Sequence, residues 1–463
     1  MTTDARPRPP RVDRILSILA ADDVVVSEPA ALAVLVRDVI DQERRRLAAG
    51  APRTAEAELA DAVLDRLERL GDPGLTVPPH VINATGVVLH TNLGRAPWPR
   101  TARLAATQAA RAYGYLELDE ATGRRGPRYR QAEDHLVALT GADDALVVTN
   151  NAAALALAVG LAGRRGAVVV SRGELVEIGG GVRIPDVVAR AGVRLIEVGT
   201  TNRTRAEDFE APLADGSARV VLRVHPSNFA ISGFTESPDP AEVAAIAHRH
   251  GAIVIDDLGS GALLDTTTFG LDREPTPGRR LEQGADLVLF SGDKLVGGPQ
   301  AGLVVGRADL VVRLRRDPLA RAVRPDKAIL AGVAATLAIY RAGRAALDIP
   351  VWQMIALEPA DLRARAEWIV ARTAEDDGRT DLAVVAVESA VGGGALPGQT
   401  LPSFGVSVPA ASPSRATSTL RAGPDRILAR IAADAIVFDL RTVRPFDDAT
   451  IARRIGELAR PRR

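Results

Sequence analysis

Leu287-Val288-Leu289-Phe290-Ser291-Gly292-Asp293-Lys294-Leu295-Val296-Gly297-Gly298-Pro299-Gln300-Ala301-Gly302 is the stretch that decides how this chain is read. An apolar run of strand character ends in a polar turn carrying one lysine, and glycines and a proline follow at once. That order describes a strand running into a rigid loop at a sheet edge, with an amine presented into a cleft. In open α/β sheets ligands bind at the carboxyl ends of the strands. Lys294 therefore stands where chemistry is expected.

The lysine is also rare. The 463 residues hold 58 Lys and Arg together, and only Lys294 and Lys327 are lysine. A chain that nearly always uses Arg for positive charge keeps Lys where a guanidinium would fail. Schiff-base formation is such a place, because it needs an amine that can lose its proton and attack a carbonyl, whereas Arg stays protonated. Rarity alone leaves chance survival equally open, so the surroundings must carry the argument.

Outward from that loop, short β-rich runs recur at Ala145–Thr149, Ala167–Ser171, Val193–Val198, Val220–His225, Ala252–Asp257, Leu287–Ser291 and Leu303–Val305, separated by helical stretches. Near-continuous apolar strands alternating with helices predict an α/β fold with a mainly parallel sheet covered on both faces. Before them, Val12, Ile15, Leu16, Ile18 and Leu19, then Leu32, Leu35, Val36, Val39 and Ile40, then Leu59, Val63, Leu64 and Leu67 recur at helical spacing. Gly50-Ala51-Pro52 and Gly71-Asp72-Pro73-Gly74 punctuate this region, the second marking a domain boundary. After residue 335 come helical segments (Leu337–Ala346, Pro359–Thr373), β-like pieces (Leu382–Val387, Ser403–Val408, Ala416–Arg421, Ala435–Asp439) and a last helix from Asp447. The expected organisation is a helical N-terminal domain over 1–75, an α/β large domain over 76–335 and a small α+β C-terminal domain over 336–463.

Composition bounds the partners. Hydrophobic residues make up 46% and charged residues 25%, and Lys+Arg and Asp+Glu balance at 58 each, so net charge names neither a nucleic acid nor a membrane. With no cysteine there are no disulfides, thiolate zinc sites or catalytic thiol. The opening MTTDARPRPPRVDR has charge and proline where a signal peptide needs an apolar stretch, and the longest apolar run, Ala152 to Ala162 broken by Gly160, is too short to span a bilayer. A soluble, cytoplasmic protein is predicted.

Ser291-x-x-Lys294 in this setting resembles the fold-type I pyridoxal-phosphate enzymes. The resemblance implies pyridoxal 5'-phosphate held as a Schiff base by Lys294, with Ser291 donating to its phosphate. An electron-sink cofactor needs a protonated pyridine nitrogen, and a carboxylate paired with it stabilises the cation. Ile253-Val254-Ile255-Asp256-Asp257-Leu258-Gly259 ends a strand with two candidates. Asp257 best matches the Asp-x-small pattern, Asp256 is the fallback, and a strand-end Asp is also a common helix cap. Val147-Val148-Thr149-Asn150-Asn151-Ala152 runs from a strand into an Ala-rich helix, whose N-terminus offers free amides and a positive dipole to the cofactor phosphate. Asn150 and Asn151 are then phosphate ligands or simple N-caps. His225-Pro226-Ser227-Asn228 ends the preceding strand, from which Asn228 would reach the cofactor's phenolic oxygen, though Pro-Ser-Asn is also ordinary turn chemistry. Gly179-Gly180-Gly181 lacks the spacing of a dinucleotide fingerprint.

Beyond those motifs, the segment Ile82–Arg95 (INATGVVLHTNLGR), Gly173–Gly180 with Arg183-Ile184-Pro185, Val198–Thr204, Asp257–Gly261 and the Lys294 block resemble the bacterial L-seryl-tRNA(Sec) selenium transferases, or selenocysteine synthases. The resemblance implies conversion of L-seryl-tRNA(Sec) to L-selenocysteinyl-tRNA(Sec), by β-elimination of the seryl hydroxyl to an aminoacrylyl-tRNA and addition of selenium from selenophosphate. By position it assigns Arg95, Arg321 and Arg324 to the anionic selenium donor and Asp293 to an acidic partner of the Schiff-base lysine. It also places Lys327 beside the site and gives the N-terminal helices to tRNA docking. A planar guanidinium fork suits an oxyanion because it donates two parallel hydrogen bonds. The resemblance further implies a homo-oligomer, at least a dimer and up to a decameric ring.

One expected feature is missing. Residues 1–75 hold 11 Arg against 14 Asp and Glu and no aromatic residue, so charge and stacking do not announce RNA there, although Arg44-Arg45-Arg46 and Arg53 would group on a helical face. The competing readings are a pyridoxal-phosphate lyase acting on a free amino acid, which the same residues would serve, and a non-catalytic tRNA- or partner-binding protein on a decayed enzyme scaffold.

Overall fold

The computed structural model describes residues 8–21, 29–71, 77–126, 128–163, 166–229 and 231–458. It divides into two compact units, one up to His80 and one from Val81. Residues 72–74 of the expected boundary turn lie outside the described residues. Among the described residues no helix is long and apolar enough to cross a membrane.

The first unit holds three helices, α1 (Val12–Ala21), α2 (Pro29–Ala48) and α3 (Glu56–Gly71). Their helical-spaced apolar residues Ile15, Leu19, Val36, Val39, Ile40, Leu59 and Val63 meet in one core. The turn between α2 and α3 is fastened by the buried Glu43 carboxylate, which accepts from Thr54 N (2.9 Å) and Thr54 Oγ1 (2.8 Å). Of the grouped arginines, Arg44 pairs with Asp41, Arg46 with Glu43 and Arg53 with Glu56.

The second unit begins with β1 (Ile82–Ala84) and β2 (Val87–Leu89), then α4 (Arg100–Arg111), α5 (Gln131–Thr140), β3 (Asp144–Val148), α6 (Asn151–Val159), β4 (Ala167–Ser171), β5 (Arg194–Val198), β6 (Val220–Val224), α7 (Pro240–Arg249), β7 (Ile253–Gly259), β8 (Leu287–Ser291), β9 (Gly302–Gly306) and α8 (Lys327–Arg341). After these come α9 (Pro359–Asp377), β10 (Ala383–Gly392), β11 (Thr400–Pro409), α10 (Pro413–Ala422), β12 (Ile427–Ala432), β13 (Ala435–Asp439) and α11 (Asp448–Gly456).

Seven strands form one sheet in the order β3-β9-β8-β7-β6-β4-β5. It is parallel throughout except for β9, which runs antiparallel to both its neighbours. Because side chains alternate between faces, Val168, Val170, Leu222, Ile255 and Leu289 pack on α6 on one side. Val169, Val221 and Val254 pack on α7, and Val288 and Phe290 on α5 and α8, on the other. Apolar side chains thus point both ways along each strand, which is why the runs read as continuous. The pairing of β7 with β8 shifts register between Leu289 and Phe290, so that Leu289 faces Asp257 and Phe290 faces Gly259.

Two features differ from expectation. Ala416–Arg421 is not a strand but part of α10, whose Pro413 sits in the first turn and whose buried Thr417 and Leu420 are three apart, a helical rather than an alternating spacing. The strand of that region is Ile427–Ala432, which is buried only at Ile427 and exposed at Ile431 and Ala432. In addition, β1 and β2 join the second sheet, in the order β1-β12-β13-β11-β10-β2, rather than the large sheet that follows them in sequence.

That second sheet is organised around Asp439. Its buried carboxylate accepts from Ser389 Oγ (2.9 Å), Ser403 Oγ (2.8 Å) and Arg441 N (3.2 Å). Gly86, in the tight turn between β1 and β2 at φ +77, lies so close that a Cβ there would fall 2.0 Å from Asp439 Oδ2. Gly86→Ala should therefore combine left-handed strain with a collision against a buried carboxylate, and lower unfolding free energy by about 2–4 kcal/mol in urea titrations. A loss under about 0.5 kcal/mol would show that the turn is not held against Asp439.

Candidate active site

β8 ends at the buried Ser291 and the chain closes a tight loop: Gly292 N donates to Ala301 O (2.9 Å), Gly298 N to Gly292 O (2.8 Å) and Gly297 N to Lys294 O (2.9 Å). Leu295 N donates to Ser260 O (3.0 Å), tying the loop to the end of β7. From α8, the buried Tyr340 hydroxyl reaches Leu295 O (2.9 Å) and Val296 O (3.0 Å), and it accepts from Trp352 Nε1 (2.6 Å). Lys294 thus projects from a backbone anchored on both sides. Burial pulls its amine below the ordinary lysine value, against the opposing pull of the Asp257 carboxylate.

Asp257 is on the lysine's side of β7. It accepts from Asn151 Nδ2 (2.7 Å) and Gly259 N (3.2 Å). Burial pushes its carboxyl up to about 6, more than Asn151 and Lys294 pull it down. Asp256 points to the opposite face, 3.3 Å from Arg280 Nε. The alternation of the strand therefore separates the two carboxylates, and only Asp257 meets Lys294. Asn150 is the N-cap of α6, accepting from Ala153 N (2.9 Å), while Asn151 turns its amide towards Asp257 and leaves Oδ1 buried without a partner.

Arg95 Nη1 donates to Asp293 Oδ2 (2.8 Å). The Arg95 backbone is left-handed, φ +61, and is held there by the bond of its N to His90 O (3.1 Å). The remaining candidates fall elsewhere. Asn228 is exposed and donates to Glu177 O (2.9 Å); from the same turn it is Ser227 that is buried towards the lysine. The cause is again alternation, which turns successive side chains of an extended segment to opposite sides. Arg324 donates to Glu117 Oε1 (2.6 Å), a carboxylate shared with Arg125 and Arg128, and Arg321 is exposed on a short helix. Their segment abuts the turn before α6 through Thr149 N to Val323 O (2.8 Å). Lys327 opens α8 with its amine on the carbonyl of Ala112, a structural tie rather than a contact with Lys294.

Three contributors escaped the sequence reading. Gly394, at φ +88 after β10, presses on the lysine: a Cβ there would lie 2.7 Å from Lys294 Nζ. A Cβ on Gly259 would lie 3.2 Å from Ser227 Oγ and 3.5 Å from Lys294 Nζ. The run Gly392-Gly393-Gly394 was the available signal for the first. Nothing local marks Ser227 or Tyr340.

A mainly parallel seven-stranded sheet, with a lysine beyond one strand and a buried aspartate ending its neighbour, defines the fold-type I class of pyridoxal-phosphate enzymes. The chain belongs to the L-seryl-tRNA selenium transferase family, whose model matches residues 81–444. It is 42% identical over 449 residues to the L-seryl-tRNA(Sec) selenium transferase of Moorella thermoacetica, covering 96% of this chain and 95% of that one. To the enzyme of the same name from Rhizobium meliloti (strain 1021) it is 42% identical over 455 residues, covering 97% and 96%. Among solved structures it shares the fold of D-glucosaminate-6-phosphate ammonia-lyase, with a TM-score of 0.60 at 22% identity, covering 85% of this chain and 98% of that one.

Two outcomes follow from this geometry. Tyr340→Phe strips partners from the buried Leu295 and Val296 carbonyls and the Trp352 indole N–H, and should cost about 2 kcal/mol in urea unfolding; an unchanged midpoint would contradict the anchoring. The Asp257 carboxyl binds its proton more tightly in the fold, at about 6, than at its ordinary 3.8. The folded state accordingly loses stability as pH rises between those values and carries the penalty above them. Cofactor-free Asp257→Asn should then be more stable than the parent at pH 7.5, on the order of 1–3 kcal/mol, with the gap closing towards pH 4. A gap that widens on acidification would refute the burial argument.

Proposed function

We propose that this chain converts L-seryl-tRNA(Sec) to L-selenocysteinyl-tRNA(Sec) in the cytoplasm, using pyridoxal 5'-phosphate carried on Lys294 and selenium from selenophosphate. The observation that carries the reading is the Lys294 amine, weakened as a base by burial and set against the buried Asp257 carboxylate at the ends of adjacent strands. The names of the relatives supply the substrate.

The residues present fit the cofactor. Gly259 and Gly394 keep open the space around Nζ that a Cβ would fill, and Asn151 Oδ1 is a buried polar atom in want of a partner. Lys294 would hold the cofactor covalently, Asp257 would pair with its ring nitrogen, and Ser291 and the α6 terminus at Asn150 and Asn151 would receive its phosphate. When bound, that group supplies an electron sink that acidifies the seryl α-proton and permits loss of the β-hydroxyl.

The chain's own groups do the rest. The Lys294 amine, its proton affinity lowered by burial, takes the α-proton at Nζ. Asp257, fixed by Asn151, keeps its charge opposite the ring nitrogen. Asp293 holds Arg95 beside the lysine, and Arg95 with Arg321 and Arg324 would gather the selenium donor, once Arg324 is released from Glu117. The helices up to residue 75 would dock the tRNA.

The test is a single turnover with seryl-tRNA(Sec), selenophosphate and the cofactor-loaded protein. Lys294→Ala should lose at least about three orders of magnitude in rate and the yellow absorbance that borohydride traps on the native chain. Native-rate product from the variant would sink the mechanism. Turnover of free serine with none of the charged tRNA would transfer the reading to a small-molecule lyase.

A further inference from the structure

Two stretches that carry the family resemblance, around Glu174 and over Thr200–Thr204, have no part in the site above. Both line one cavity of about 380 Å³ beyond the carboxyl ends of β4 to β7. Arg223 and Asp256, paired in register, enter it from the face of the sheet opposite Asp257. Three guanidinium groups, those of Arg203, Arg223 and Arg280, share the lining.

These groups hold more donors than the protein satisfies. Arg223 is only 7% exposed; its Nη2 lies 3.4 Å from Glu174 Oε1, but Nε and Nη1 are buried without a partner. Arg280 Nε is 3.3 Å from Asp256 Oδ2 and Arg203 Nε 3.7 Å from Glu236 Oε2, and neither is hydrogen-bonded. The Glu174 carboxylate is already engaged by Val224 N (3.2 Å), and burial raises its proton affinity. Four buried nitrogens on the three arginines that line this cavity thus lack an acceptor, a condition that a folded protein ordinarily avoids. A lining of forked donors calls for a compact ligand with several acceptor oxygens, and a phosphate matches guanidinium geometry bidentately.

We propose that the cavity bounded by Glu174, Arg203, Arg223, Asp256 and Arg280 is a subsite for a phosphate group, separate from the cradle at α6. The selenium-transferase reading enters only in naming the source. One source is the orthophosphate left when water replaces the selenium that selenophosphate gives up. The other is the phosphate of the substrate's 3'-terminal nucleotide. The cavity is large enough for either group and lies at the same sheet edge as Lys294.

The full-length, cofactor-loaded protein, its own phosphate cradle filled, is titrated by calorimetry with inorganic phosphate and separately with adenosine 5'-monophosphate. Saturable binding of one per chain is expected, weakened about tenfold or more in Arg223→Gln and in Arg203→Gln. Arg203 is half-exposed, so its variant keeps the test decisive if Arg223→Gln fails to fold by circular dichroism. Phosphate binding tighter than the nucleotide supports the orthophosphate source, and the reverse supports the RNA terminus. No saturable binding of either, or binding untouched in folded variants, overturns the subsite. A chain that binds phosphate at Arg223 yet turns over no seryl-tRNA would instead defeat the selenium-transferase reading and leave the subsite standing.

Discussion

The constraint on which the rest depends is the cost of burying an amine and a carboxylate together. Removal from water lowers the proton affinity of Lys294 and raises that of Asp257, so each drifts towards its neutral form, and their mutual attraction only partly restores the charges. A flexible chain would relieve this by turning either side chain outward. Here that escape is closed: Asp257 rides on a central strand flanked by β6 and β8, and Lys294 sits in a loop whose carbonyls are gripped by Tyr340. The register shift between β7 and β8 sets how far the two strands run past one another at that edge, and hence what faces the lysine.

The same requirement explains why the site draws on the whole second unit rather than on one sheet. Gly394 comes from the end of β10 in the smaller sheet, and the turn carrying His90 and Arg95 follows β2, which pairs in parallel with β10. Asp439 and Gly86 lock that pairing from behind. Sequence order hides this, because residues 82–89 precede the large sheet yet complete the small one. The turn between β1 and β2 thereby bears on the edge that carries Lys294 without touching it.

Legibility followed the range of the forces involved. Most strands of the large sheet were readable because they are buried on both faces and leave a near-continuous apolar run, while the edge strand β5 keeps Arg194 and Glu197 exposed. Lys294 and Asp257 were readable because a buried charge at a strand end is locally conspicuous. Ser227 was missed in favour of Asn228, since a one-residue choice of facing depends on backbone direction rather than on residue type. Ala416–Arg421 looked extended because its β-branched Thr417 and Thr419 suit strands, but Pro413 and the spacing of Thr417 and Leu420 prevailed. Tyr340 lies in an ordinary apolar helix and gains its meaning only from where α8 crosses the lysine loop.

The abundance of arginine and the rarity of lysine then have a common physical origin. Arg441 is fully buried and donates to the carbonyls of Met354 (2.8 Å), Ile355 (3.1 Å), Leu357 (3.0 Å) and Pro402 (2.6 Å). Arg379, equally buried, donates to those of Ile455 (2.9 Å), Leu458 (3.0 Å) and Pro409 (2.6 Å). A guanidinium serves these positions because five N–H groups in a fixed plane can satisfy several carbonyls while the charge stays put. A lysine differs in that its ammonium gives up its proton more readily when water is withdrawn. A chain whose cations are almost all arginine places one of its two lysines at position 294, where burial lowers the proton affinity of the amine.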